Sequence, residues 1–151
     1  MPNTKQTTTE QTPQIAGWFK PVAIVLLIWN LLGLLAFIQH LMLTPEHIAA
    51  LPVAEQALYQ NNPLWITIAF ACAVFGGVLG CLALVLKKAW AIPLLWLSLL
   101  GVLAQNFHSF FMSEVLEVYG VTALIMPTLV ILISIYLCYL SHSAVKRQWL
   151  N

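Results

Sequence analysis

LLGLLAFIQHLMLTPE (Leu31–Glu46) and LLGVLAQNFHSFFMSE (Leu99–Glu114) align without a gap at a constant offset of 68 residues, and seven of their sixteen positions are identical. In so apolar a chain the Leu and Ala matches carry little information. The pairs Gly33 with Gly101, His40 with His108 and Glu46 with Glu114 carry more. Each copy runs from an apolar helical segment into a polar ending, which is the pattern of the outer half of a membrane helix and its exit.

The composition around these copies agrees. Of 151 residues, 61% are hydrophobic and only 7% are charged, against roughly 25% charged in soluble globular domains. So few charges cannot clothe a water-soluble surface, and the chain reads as an all-α integral membrane protein of four transmembrane helices. The spans fall at about 21–43, 64–86, 89–112 and 121–140, within a membrane domain at 18–141. Before them, 1–17 is polar, rich in Thr and Gln, and reads as a disordered cytoplasmic tail. It lacks the basic start and small-residue cleavage site of a signal peptide, so the first span is kept. After them, 142–151 reads as a polar cytoplasmic tail.

Punctuation within the chain is equally plain. Pro21 stands in the first turn of span one, where a missing N–H is tolerated. Thr44 and Pro45 form an N-cap and first-position pair that restarts a helix, Pro52 interrupts it, and Asn61–Asn62–Pro63 ends it. Ile48, Leu51, Val53, Leu58 and Tyr59 of this loop would lie on the membrane surface or cap the bundle. Lys87–Lys88 makes a tight turn, and Pro127 is expected to kink span four. All six Lys and Arg residues lie in the tails, the start of span one or this turn, whereas Glu46, Glu55, Glu114 and Glu117 lie in the two other loops. By the positive-inside rule both termini are cytoplasmic.

Span two carries a close-packing signature. Ala69, Ala73, Gly77 and Cys81 recur every four residues, as do Cys72, Gly76 and Gly80. Small residues let helix backbones approach in lipid, where dispersion contact rather than water exclusion holds helices together. Gly33, Gly76, Gly77, Gly80 and Gly101 are the expected packing glycines, and intrachain packing is favoured over dimerisation for the Gly76–Gly80 pair. Cys72, Cys81 and Cys138 sit in apolar runs without a CxxC and read as small packing residues.

Spans one and three point the same way, so the repeat is parallel: two helical hairpins related by an axis along the membrane normal. Ser98, Gly101, Gln105, His108 and Met112 share one helical face, and so do their partners Asn30, Gly33, Phe37, His40 and Thr44. Polar groups are costly against hydrocarbon, so both seams face the bundle interior or a wet cavity. Three readings stand. The seams are interhelical glue; or Asn30, His40, Ser98, Gln105 and His108 line an outward pocket for a small polar solute, with Glu46 and Glu114 at its mouth; or the paired histidines ligate haem, or His with Glu holds a metal. No paired intramembrane carboxylate, Ser-His-Asp set, HExxH or phosphate loop supports an enzyme, and no basic patch supports nucleic-acid binding.

The segments WNLLGLLAFIQHLMLTPE (Trp29–Glu46), LPVAEQALY (Leu51–Tyr59), PLW (Pro63–Trp65), AFACAVFGGVLGCLALVLKKAWAIPL (Ala69–Leu94), SLLGVL (Ser98–Leu103) and FFMS (Phe110–Ser113) resemble a family of small four-span bacterial inner-membrane proteins that carry a sugar-transporter label. The resemblance implies a bacterial inner-membrane location and solute transport, and it brings no catalytic residues and no cofactor. A bundle this small leaves little room for a translocation path, so transport would require a homo-oligomer. The alternative is an accessory subunit of a larger membrane complex. A reporter active only in the cytoplasm and fused after Asn151 should be active; activity only of an extracytoplasmic reporter would reverse the topology.

Overall fold

The computed structural model describes residues 14–151, and among these it contains helices and turns but no strand. Four helices are long and apolar enough to cross a membrane: α1 (Phe19–Leu41), α4 (Leu64–Val85), α5 (Ala91–Phe111) and α7 (Ile125–Lys146), the last extended by a 3₁₀ turn at Val121–Leu124. Between them lie the short helices α2 (Pro45–Ala49), α3 (Val53–Gln60) and α6 (Val115–Tyr119). At 1.5 Å per residue the 21 to 23 residues of each long helix make roughly 32–35 Å, enough for a hydrocarbon core of about 30 Å. Large apolar side chains such as Val25, Leu100 and Leu132 are more than half exposed. On a soluble protein such a surface would drive aggregation; on this one it is the face that meets lipid.

The caps formed as their residues dictate. The N–H of His47 donates to Thr44 Oγ1 at 3.4 Å, with Pro45 at the first helical position of α2. Pro127 is the third residue of α7, among the four whose N–H groups have no α-helical partner in any case. The 3₁₀ turn ahead of it therefore moves the expected mid-helix proline into a first turn, where it is tolerated.

α4 is the centre of the arrangement. It packs most extensively on α5 and next on α1, while α7 packs on α5 and not along α1, so the four helices form an arc in the order α1–α4–α5–α7. The contact faces are made by absent side chains. A Cβ at Gly76 would lie 2.8 Å from the Leu94 carbonyl oxygen and 3.0 Å from the Ser98 nitrogen, and at Gly80 it would strike the Leu95 side chain at 2.6 Å. Gly101 of α5 returns the contact, with a Cβ site 2.6 Å from the Ala69 oxygen and 2.7 Å from the Ala73 nitrogen. The GxxxG pair is thus used within the chain. Gly33 differs from its counterpart: its Cβ site meets only Val74 Cγ1, at 3.8 Å, so it permits no close backbone approach.

The repeat is expressed around α4 rather than as two equivalent hairpins. α1 and α5 both run antiparallel to α4 and flank it, and the repeat partners Asn30 and Ser98 converge on Gly77, where a Cβ would collide with Asn30 Oδ1 and lie 3.2 Å from Ser98 Oγ. The close α4–α5 contact has no matching α7–α1 contact, so the hairpins are not related by a twofold axis.

One end of the molecule, the basic end, carries Lys20, Lys87, Lys88, Lys146 and Arg147; the other, acidic end carries Glu46, Glu55, Glu114 and Glu117. At the basic end α4 and α7 terminate alike. Lys88 N–H bonds the Ala83 oxygen and Lys87 N–H the Leu84 oxygen; Trp149 N–H bonds the Ala144 oxygen and Gln148 N–H the Val145 oxygen. These are Schellman motifs, with Lys87 at φ 59° and Gln148 at φ 55° in the left-handed position usually held by glycine. The two ends then pair, Asn151 N–H donating to the Lys87 oxygen at 2.8 Å and Ala89 N–H to the Asn151 oxygen at 2.7 Å.

The C-terminal residues are therefore not the expected polar tail. α7 continues to Lys146, Trp149 and Leu150 are buried, and the Trp149 ring packs edge-on against Trp18 and Phe19 with the Arg147 guanidinium 5.2 Å from its centroid. Of the tail expected at 1–17, residues 1–13 lie outside the described residues, while Ile15 and Ala16 are half-buried against the core.

Replacing Gly76 or Gly101 by Leu should cost at least about 1–3 kcal/mol, the range for overpacking a filled core, because backbone lies where the new side chain must go. Gly33→Ala should be neutral or stabilise by up to about 1 kcal/mol, since Ala replaces Gly within a helix. Unfolding in mixed micelles measures both, and equal losses at Gly33 and Gly101 would refute the distinction.

Candidate functional site

The polar seam divides by depth. In its deeper half the side chains are spent on packing. Asn30 Nδ2 donates to the Leu26 oxygen at 2.8 Å and to Cys81 Sγ at 3.3 Å, and Ser98 Oγ donates to the Ala73 oxygen at 2.6 Å. The bonds to Cys81 and Ala73 tie α1 and α5 to α4. Towards the acidic end the pattern changes. Among the described residues no protein group hydrogen-bonds the side chains of His40, His108 or Gln105.

Those three residues line one pocket of about 310 Å³ at the acidic end. Its helical walls come from the ends of α1 and α5 and the start of α4, and its lid from α3 and α6. His108 is buried, and its ring stands edge-on to Trp65 at 5.5 Å; His40 lies 5.9 Å from Phe70 and 6.4 Å from Tyr59 between ring centroids. Tyr59, Asn62, Thr67, Ser113 and Tyr119 add polar groups to the wall. Partial burial pushes the Tyr119 phenol up, and a hydrogen bond to Glu55, the Glu55 charge and Tyr59 push it the same way.

Below this pocket lies a second, larger cavity of about 430 Å³ in the gap between α1 and α7, floored by α4 and α5. Asn30, Gly33 and Ser98 border it, but most of its wall is apolar, from Trp29, Phe70, Val74, Val102, Val130 and Leu137. Phe70, Gln105 and Ser109 line both cavities, so the two adjoin across these side chains.

The structure thus brings His40, His108 and Gln105 together, and sets Asn30 and Ser98 one level deeper. Glu46 and Glu114 are exposed on the loops and do not line the pocket; Glu55, facing Tyr119, stands nearer its rim. Sequence reasoning missed Asn62, Thr67 and Tyr119. Only Leu58 and Tyr59 had a signal, as apolar loop residues able to cap the bundle, and they do so. Among the described residues no group of three or more His, Cys, Asp or Glu could hold a metal ion, so the metal reading gains no ligand set.

Comparison with protein-family models, with curated proteins and with solved structures found no match. The class rests on the chain itself: four apolar spans and a lipid-facing surface define a multi-pass integral membrane protein.

If depth separates packing from binding, substitutions should separate too. Asn30→Leu should destabilise the bundle by about 0.6–2 kcal/mol, the worth of an interhelical polar bond in a membrane. Gln105→Leu, which breaks no bond, should stay within about 0.5 kcal/mol. Parallel unfolding curves test this, and the reverse order would show Gln105 to be the structural member.

Proposed function

We propose that this protein of a bacterial inner membrane, with both termini in the cytoplasm, binds a small polar solute in the pocket at its acidic end. The observation that carries the reading is the pair His40 and His108. These histidines sit on separate helices, line one pocket, and leave their ring nitrogens without protein partners. Among the described residues no buried side-chain nitrogen or oxygen lacks a partner, so these ring nitrogens are accessible from the pocket, and accessible polar groups around a cavity of ligand size are what a binding site requires. A neutral imidazole offers one donor and one acceptor, and Gln105, Asn62 and the tyrosines extend that set. The acidic end would then face outward, and the resemblance to proteins with a sugar-transporter label points to a hydroxyl-bearing solute.

Transport through one copy lacks a path, because Trp18, Phe19, Trp149 and Leu150 pack together at the basic end. Translocation on this reading requires a second copy or a rearrangement of α7, the long helix without a contact along α1. The reading of an accessory subunit takes its support from the same gap between α1 and α7, which a partner's helix would fill.

The test is thermal stability of purified wild type, His40→Leu and His108→Leu against a panel of sugars, polyols and amino acids. At least one solute should raise the wild-type midpoint by several degrees and leave His108→Leu unmoved. A panel without effect at millimolar concentration would remove the solute reading and favour the accessory one.

A further inference from the structure

The pocket at the acidic end shares a wall, made by Phe70, Gln105 and Ser109, with the cavity between α1 and α7, and the two spaces, about 310 and 430 Å³, each fall within the roughly 300–1,000 Å³ of small-molecule sites. Their chemistry differs in one direction. The upper space sets imidazole, carboxamide, hydroxyl and phenol groups among apolar side chains such as Ile66 and Phe70; the lower one is mainly apolar and lies where α1 and α7 leave each other unpacked. A polar solute alone uses only the upper space and leaves the lower one to bilayer lipid. A lipid chain alone uses only the lower and leaves the imidazoles to water.

We propose that the ligand is an amphiphile, with an uncharged, hydroxyl-bearing head between His40 and His108 and a single apolar chain descending past Gln105 into the gap between α1 and α7. This rests on the solute reading above and names its substrate class. The head is uncharged on electrostatic grounds. Glu46, Glu55, Glu114 and Glu117 surround that end and none of the described Lys or Arg residues lies there, so an anionic head would be repelled. The pocket wall itself offers hydrogen-bonding groups and ring faces but no carboxylate to pair a cation. The chain enters sideways from the bilayer, since Leu32 and Ala36 at the rim of the gap are exposed where lipid stands. The depth also suits a chain: the α7 wall of the cavity runs from Met126 to Leu137, about 16 Å at 1.5 Å per residue. Gly33 borders the gap without adding a side chain to it, and only Val74 Cγ1, at 3.8 Å, lies within 4 Å of its Cβ position.

The test uses the full chain in nanodiscs of zwitterionic lipid and an alkyl glucoside brominated at the chain end, which quenches nearby tryptophan. Trp29 lines the gap, so a saturable quench above the linear partitioning background is expected, and it should disappear in Trp29→Phe. Octyl glucoside should compete at least ten times better than 1-octanol and at least a hundred times better than glucose. Gly33→Phe, which fills the gap, and His108→Leu, which removes a head contact, should each weaken the saturable quench tenfold or more. Ala36→Phe serves as the second gap-filling variant if Gly33→Phe fails to fold. Glucose competing as well as octyl glucoside would overturn the amphiphile and leave the solute reading standing. Octanol competing equally would overturn both, because the head pocket would then contribute nothing. Absence of saturable quenching overturns the amphiphile, and the solute panel then decides the parent reading separately. Conversion of a dimer to a monomer by Gly33→Phe, measured by mass photometry, would make the gap a contact between copies and overturn the proposal.

Discussion

Everything in this molecule depends on how closely α5 and α1 can approach α4. Between lipid-embedded helices no water is released on contact, so cohesion comes from dispersion, which falls off within a fraction of an ångström. Gly76, Gly80 and Gly101 remove the atoms that would hold the backbones of α4 and α5 apart. The closeness then makes short polar side chains sufficient: Ser98 reaches the Ala73 carbonyl from α5, and Asn30 reaches Cys81 from α1. Gly77 lies between the two. Because these anchors fix both flanking helices at the same level of α4, the histidines ten residues further along each arrive at matching depth on one pocket. α7 has no such anchor on α1, and the gap beside it follows.

The same seam answers two readings of the sequence at once. Where α1 and α5 are pressed on α4, its polar residues are glue, bonded to backbone and thiol. Beside the start of α4, where the short helices take over, the side chains of His40, Gln105 and His108 line a pocket and have no protein partner among the described residues. A residue's role along this face follows its depth and its neighbours, which a pattern of residue types does not show.

The parts of the fold that were legible are those written in length and periodicity. Four apolar runs, the Thr44–Pro45 cap, the Lys87–Lys88 turn and the small-residue stripes of α4 each have a local cause and were found where that cause lies. What escaped depends on contacts between distant segments. Gly33 and Gly101 look equivalent as letters, yet only Gly101 presses on backbone. Pro127 was expected to bend a long helix because nothing in the letters shows that the first turn of span four is 3₁₀. Tyr119 and Asn62 join the site only because α3 and α6 fold over it. Glu46 and Glu114 matched in the repeat but stand outside the pocket. Trp149 and Leu150 are too short a run to register as a packed element, and were read as tail.

That last segment has a consequence for the order in which the molecule is assembled. The arc α1–α4–α5 can pack as soon as its third span is in the membrane, because all of its glycine contacts are then present. The end of α7 is joined to the start of α1 by the Trp149 ring against Trp18 and Phe19, and to the turn between α4 and α5 by Asn151 bonded to Lys87 and Ala89. Trp149 and Asn151 follow the four spans in the chain. The fastening between α1 and α7 therefore forms only once those four spans have been made.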